Sequence, residues 1–242
     1  MRISVIIPAY NEEQTIANVV HALIAAVQDL YEIIVVDDGS KDRTAELAEQ
    51  LVREYPCLHL IRQQRNMGKT AALRAGFAAS TGEVVVVQDA DLEYDPVDIN
   101  GLVEPISLGK ADVVYGSRFI TRRASRVLYF RHFMANQFLT FLSNLFTDLN
   151  FTDVETGYKA FRGEIIRNMI IETRGFGFEV EVTAKIAKLK CRVYEVPISY
   201  YGRTYEEGKK IGFKDGLDAI FYIFKYNLFV DVQRSYRKVP EL

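Results

Sequence analysis

Five short apolar runs rich in Val and Ile punctuate the first half of the chain, at residues 3–9, 32–38, 59–63, 83–89 and 112–117. Runs this short and this continuously apolar fit strands buried on both faces. The segments between them repeat their apolar residues every three to four positions, so the pattern predicts strands and helices alternating around a mostly parallel sheet. Ile16, Val19, Val20, Leu23, Ile24 and Val27 mark one helical face. Asn11 and Gln14 are spaced to cap its start as a capping box. Further helices are predicted over 44–55, over the Ala-rich stretch 70–80, and from Pro96, a residue suited to a first helical turn.

The second half changes character. Residues 122–146 interleave Arg122, Arg123, Arg126 and Arg131 with Tyr129, Phe130, Phe133, Phe138, Phe141 and Phe146. Strands are predicted over 156–162 and 191–199, a helix over 178–190, and a last aromatic helix over 212–230. No low-complexity linker or internal repeat divides the chain, which reads as one α/β domain over residues 1–230 with a tail at 231–242.

Composition narrows the class. A chain of 242 residues, 49% hydrophobic and 26% charged, is long enough and apolar enough to bury a sizeable core. Its net charge of −2 provides no global positive field for nucleic acid, so any anion site must be local. Cys57 and Cys191 are isolated, which gives neither a disulfide framework nor a metal cluster and makes a reducing, cytoplasmic compartment the default. His21, His59 and His132 show no ligand spacing. Residues 1–8 read as a first strand rather than a signal peptide, and no window holds the ~20 apolar residues of a membrane-spanning helix.

The candidate chemistry lies at strand ends, where parallel α/β sheets gather ligands. The first run delivers Pro8, Tyr10 and Glu12, the second Asp37 and Asp38, and the fourth Asp89-Ala90-Asp91. Asp89 and Asp91 face the same side if strand geometry persists through them. Converging carboxylates repel unless a cation lies between them, and a hard divalent ion, Mg²⁺ or Mn²⁺, suits such oxygen ligands. Glu93 can add a third oxygen. The bland reading of the same residues is turn chemistry, which suits Asp38-Gly39 and Asp95-Pro96 well. Gly68-Lys69-Thr70 ends like a phosphate-binding P-loop, but the motif's first Gly is Gln63 here, and that reading fails.

Taken together, Ile6-Ile7-Pro8-Ala9-Tyr10-Asn11-Glu12, Val35-Val36-Asp37-Asp38-Gly39-Ser40, Asn66-Met67-Gly68-Lys69, Asp89-Ala90-Asp91 and Gly116-Ser117-Arg118 resemble the signature of inverting glycosyltransferases of the GT-A fold. The likeness runs from about Arg2 to Phe229 and is to the dolichyl-phosphate mannose or glucose synthase branch and its polyprenyl-phosphate relatives. It implies a Rossmann-like, mostly parallel sheet flanked by helices, with C-terminal amphipathic helices. A nucleotide-sugar half would occupy about 1–120 and an acceptor half 121–230.

By the same resemblance, Pro8, Tyr10, Glu12, Val35 and Asp37 line the nucleotide pocket, and Asp89, Ala90 and Asp91 meet the diphosphate. The metal is held among Asp89, Asp91 and Glu93, where the mannose branch often carries Gln at the last position. Arg118, Arg203 and Lys209 contact donor phosphates, the last two from a Gly-containing loop over 200–210 that can close on the donor, while Lys69 contacts the donor or simply starts a helix. Arg118 and Arg131 dock the acceptor phosphate. Asp89, Asp91 and Arg118 carry the catalysis.

The implied partners are a UDP- or GDP-hexose and a polyprenyl-phosphate lipid, reached by peripheral contact of the 122–146 segment with the cytoplasmic membrane face. A separate membrane-protein partner is also compatible. A lipid monophosphate is already anionic and needs no base. A hydroxyl acceptor would need one, for which Glu179, Glu181 and Asp153 are candidates. The rival readings are a glycosyltransferase with a saccharide or protein hydroxyl acceptor, a non-catalytic nucleotide-sugar-binding protein, and a nucleotidyltransferase, which lacks its Gly-rich loop after the first strand.

Overall fold

The protein is described here from a computed structural model covering residues 1–120, 126, 129–173, 175, 177–202 and 213–241. Its elements in chain order are β1 (Ile3–Ala9), α1 (Ile16–Ala26), β2 (Leu30–Asp37), α2 (Thr44–Glu54), β3 (Leu58–Arg62), α3 (Lys69–Ala79), β4 (Val84–Val87) and α4 (Asp98–Ser107). They continue as β5 (Val113–Ser117), α5 (Phe130–Thr147), β6 (Lys159–Arg162), α6 (Gly163–Asn168), α7 (Phe178–Leu189), β7 (Val193–Pro197), α8 (Phe213–Leu228) and α9 (Val232–Ser235).

Among the described residues the strands form one seven-stranded sheet in the order β3-β2-β1-β4-β6-β5-β7. All neighbours are parallel except β6, which runs antiparallel to both β4 and β5. The continuous apolar runs are explained by burial from both sides. Ile7 and Val35 point to one core with Leu23 and Leu102, while Ile6 and Val36 point to the other with Phe77, Phe161, Phe178 and Ile223. Each such side chain contributes roughly 1.5–3 kcal/mol on leaving water. β1 is flanked by β2 and β4, with Ala9 beside Asp37 and Ile6 beside Val87, so three acid-bearing strand ends open on the same edge.

Several expectations are corrected. Asn11 does not cap α1: it sits at φ 55, and its Oδ1 accepts from Lys41 N (2.9 Å), tying the β1 and β2 loops together. The helix begins at Ile16 without a side-chain cap. The β4 strand stops at Val87, so Asp89 and Asp91 lie in the turn beyond it and do not share a strand face. Residues 231–236, read as tail, return to the core: Tyr236 is buried, and its hydroxyl donates to Lys185 O. No described helix is long and apolar enough to cross a membrane.

Candidate active site

Two loops are locked first. Asp38 accepts from Met67 N and Gly68 N at 2.8 Å each, so both of its oxygens serve to hold the start of α3. Gly39 is required between them: it sits at φ +69, and a Cβ there would lie 2.6 Å from the Arg65 carbonyl carbon. Asp37 is buried at the end of β2, where its Oδ1 accepts from Ser40 N at 3.1 Å and Arg62 approaches to 4.0 Å. Pro8, Tyr10 and Glu12 are partly exposed along the β1 end, and Glu12 N donates to Thr44 Oγ1. Val35 is fully buried within β2, two residues short of this edge.

Docking α3 places Lys69, its first residue, against the turn beyond β4. Lys69 Nζ lies 2.8 Å from Asp89 Oδ1 and 3.6 Å from Glu179 Oε1 in the first turn of α7. Burial alone would lower the Lys69 pKa, but these carboxylates outweigh it and hold the ammonium well above its ordinary value. The other Asp89 oxygen packs on Gly157, where a Cβ would come within 2.5 Å. Asp89 is thereby fixed on both sides.

Asp91 and Glu93 follow Asp89 in the segment beyond β4. Glu93 N donates to Asp91 Oδ1 (3.2 Å) across Leu92, a left-handed residue at φ 61. Strain of this kind concentrates at functional turns. Glu93 Oε2 accepts from the Tyr200 hydroxyl at 3.0 Å, and its carbonyl accepts from Tyr201 N. Their hard carboxylate oxygens match the ligands that Mg²⁺ and Mn²⁺ prefer, so the residues fit such an ion chemically. No described trio of His, Cys, Asp or Glu is already gathered around a common point.

The far wall is aromatic and basic. Arg118, just past β5, donates from Nε and Nη2 to Asp153 at 2.7 Å each, while the guanidinium stacks 5.2 Å from the Tyr200 ring. Tyr94 stacks on Tyr158 at 4.6 Å, and burial raises its pKa. Arg131 is exposed in the first turn of α5, whereas Arg203 and Lys209 lie outside the described residues. Of the acids considered as bases, Glu179 reaches the cleft. Glu181 instead accepts from Glu172 N and Thr173 N at 2.8 Å each and pairs with Lys185, which makes it a structural anchor.

The sequence marked Lys69, Asp89 and Arg118 and placed Tyr200 in the loop over 200–210, whereas Tyr94 and Glu155 carried no motif. A sequence profile described as "Glycosyl transferase family 2" matches residues 4–170, more than half the chain. The chain belongs to glycosyl transferase family 2.

This family 2 chain is 33% identical over 215 residues to a protein named dolichol-phosphate mannosyltransferase from Pyrococcus furiosus, over 88% of this chain but 60% of that protein's length. It is 32% identical to an undecaprenyl-phosphate mannosyltransferase from Micrococcus luteus, covering 88% of each. A polyprenol monophosphomannose synthase from Mycolicibacterium smegmatis is 29% identical over 94% of this chain and 87% of its own. In structure, the chain superposes on glucosyl-3-phosphoglycerate synthase from Mycobacterium tuberculosis, solved with Mn²⁺, UDP and phosphoglyceric acid. The TM-score is 0.73 at 21% identity, over 95% of this chain and 80% of that one. That likeness establishes the GT-A fold.

Proposed function

We propose that this glycosyltransferase moves a hexose from a nucleotide sugar to a polyprenyl phosphate, with inversion and with a divalent metal. The observation that carries the reading is the placement of Asp37 and the Asp89–Asp91 turn at or just beyond the ends of the two strands that flank β1, with Lys69 on Asp89 and with Arg118 on Tyr200, whose hydroxyl bonds Glu93. Strands two apart are separated by roughly 10 Å. That spacing suits a donor whose nucleoside end lies at Asp37 and whose diphosphate lies at Asp91, as the resemblance implies. The names of the relatives support a polyprenyl-phosphate acceptor.

In this mechanism Pro8, Tyr10, Glu12 and Asp37 hold the base and ribose, with Val35 supporting the strand beneath. Asp91 and Glu93 would hold Mg²⁺ or Mn²⁺, which neutralises charge growing on the departing diphosphate. Asp89 and Ala90 shape the turn that presents them, and Asp89 keeps Lys69 aimed into the cleft. Lys69 and Arg118 stabilise developing negative charge in a site that needs no reorganisation. Arg203 and Lys209 are assigned to the donor phosphates by resemblance. The acceptor phosphate, already anionic, attacks the anomeric carbon opposite the leaving group, guided by Arg118 and Arg131. No base is required for that step.

The acceptor side supports peripheral contact with the cytoplasmic membrane face. Helices α5 and α8 pack together through Phe146 and Phe224, 5.0 Å apart, yet expose Phe130, Phe138, Phe141 and Phe221, with Phe229 exposed just past α8. Exposed aromatics so arranged, with exposed Arg131 in the first turn of α5, suit the headgroup boundary. The experiment is an acceptor panel: polyprenyl phosphate, free sugars and peptides, each with UDP- and GDP-hexoses and Mn²⁺, scored by nucleoside diphosphate release. Release dependent on the lipid phosphate is expected. Release driven equally by a sugar hydroxyl would transfer the role of base to Glu179, and binding without release would leave a sensor.

A further inference from the structure

The segment leading into β6 is clamped from every side. Thr152 N and Asp153 N donate to the Glu195 carboxylate at 2.9 and 3.2 Å, Val154 N donates to Thr140 Oγ1, and Gly157 N donates to the Tyr94 hydroxyl at 2.9 Å. From beneath, the buried Lys159 ammonium bonds the carbonyl oxygens of Val154 and Thr156, the two residues flanking Glu155. The backbone around Glu155 is thus rigid. Its side chain is not similarly satisfied: Oε1 is buried and has no hydrogen-bond partner.

Its charged surroundings are those of the cleft, namely Arg118, Asp153, Glu179 and Lys159. Among the described residues, Arg118 pairs with Asp153, Lys69 with Asp89 and Glu179, and Lys159 bonds the two carbonyls. A buried carboxyl oxygen without a donor is costly, and a ligand that donates to it removes that cost. With Asp153 paired to Arg118 and Glu179 to Lys69, the Glu155 oxygen is the acceptor left over, and a neutral hydroxyl can satisfy it.

We infer that Glu155 reads a ring hydroxyl of the transferred hexose, which makes it a specificity-determining residue for the donor sugar. The inference rests on the glycosyl-transfer reading above and narrows it to one contact. Burial, reinforced by the charge of Glu179, pushes Glu155 up to about 7, so near neutrality its carboxyl can both donate to and accept from a hydroxyl.

The test uses the full chain with nucleotide-hexose donors lacking one ring hydroxyl at a time. Wild type is expected to lose on the order of 10²-fold in kcat/KM with one of these deoxy donors, because the site's polar group is left unpaired. Glu155→Ala should lose a similar factor with the complete hexose and then be indifferent to that same deletion. Nucleoside diphosphate alone should raise the Tm of both proteins equally. Glu155→Gln keeps the shape of the side chain and should fold as wild type while changing the penalty for that hydroxyl. If both variants keep the wild-type deoxy profile, or lose nucleoside diphosphate binding, the assignment of Glu155 is overturned while transfer itself stands. If wild type transfers from no nucleotide sugar, the glycosyltransferase reading falls, and this inference falls with it.

Discussion

The ammonium of Lys69 lies 2.8 Å from the carboxylate of Asp89, joining the first residue of α3 to the turn beyond β4 across the base of the cleft. Both side chains are about four-fifths buried, at 20% and 18% exposure. Removing one partner of such a pair leaves the other uncompensated. Lys69→Met should therefore cost about 2–4 kcal/mol in urea denaturation at pH 7. Because the folded pKa of Lys69 is raised, its contribution is fully present below the unfolded value near 10 and is lost only as pH rises beyond it. The Lys69→Met deficit should accordingly be constant between about pH 6 and 9.

Arg118 and Asp153 make a second prediction. Their side chains are 12% and 0% exposed and doubly hydrogen bonded. Asp153→Asn should destabilise by about 3–5 kcal/mol and depress turnover, since the guanidinium loses its orientation. Thermal unfolding followed by circular dichroism checks the first effect. A near-normal Tm would show that the pair does not hold the β5 end.

An acid-sensitive clamp lies at the opposite end of the sheet. Asp112 accepts from Arg192 Nε and Nη2 and from Arg162 Nη1, and the Arg192 bonds above all hold its pKa down at about 2. A lowered carboxylate pKa gives stability that is present above the unfolded value and lost as pH falls toward the folded one. Wild type should thus lose on the order of 1–2 kcal/mol from this group between about pH 4 and 2, a figure discounted because Arg192 is half exposed. Asp112→Asn should flatten that part of the Tm–pH curve. An unchanged acid limb would contradict the assignment.

The exposed aromatics of α5 and α8 make a membrane prediction. Phe138, Phe141 and Phe221 are 53%, 63% and 62% exposed, so changing all three to Ser should leave stability within about 1 kcal/mol. Sedimentation with anionic vesicles should nonetheless fall at least severalfold. Equal vesicle binding by the triple variant would remove these helices from the interface.

Much of the fold was legible because a doubly buried strand must be apolar along its whole length. β1, β2 and β5 sit within a residue or two of where the pattern put them. Strand direction has no such signature, which is why antiparallel β6 could not be read. Asn11 was misread because an Asn before an apolar helix fits a cap and a left-handed loop bridge equally well. At the site, the acids were visible as residues at strand ends. Their partners were not: Lys69 meets Glu179, and Arg118 meets Asp153, only after the chain has folded, and nothing local in sequence pairs them. Glu155 carried no motif, and its significance appears only as a carboxyl oxygen buried without a donor.

The central claim is that Asp91 and its turn hold the metal-bound diphosphate of a sugar donor while a lipid phosphate displaces it. Its most direct test is formation of polyprenyl-phosphate hexose by purified protein, wild type against Asp91→Ala, with and without chelator. The account predicts a lipid-linked sugar that disappears with chelator and falls by about 10²-fold or more in Asp91→Ala, with the variant still folded. Near-normal product from Asp91→Ala, or product formation untouched by chelator, would contradict it.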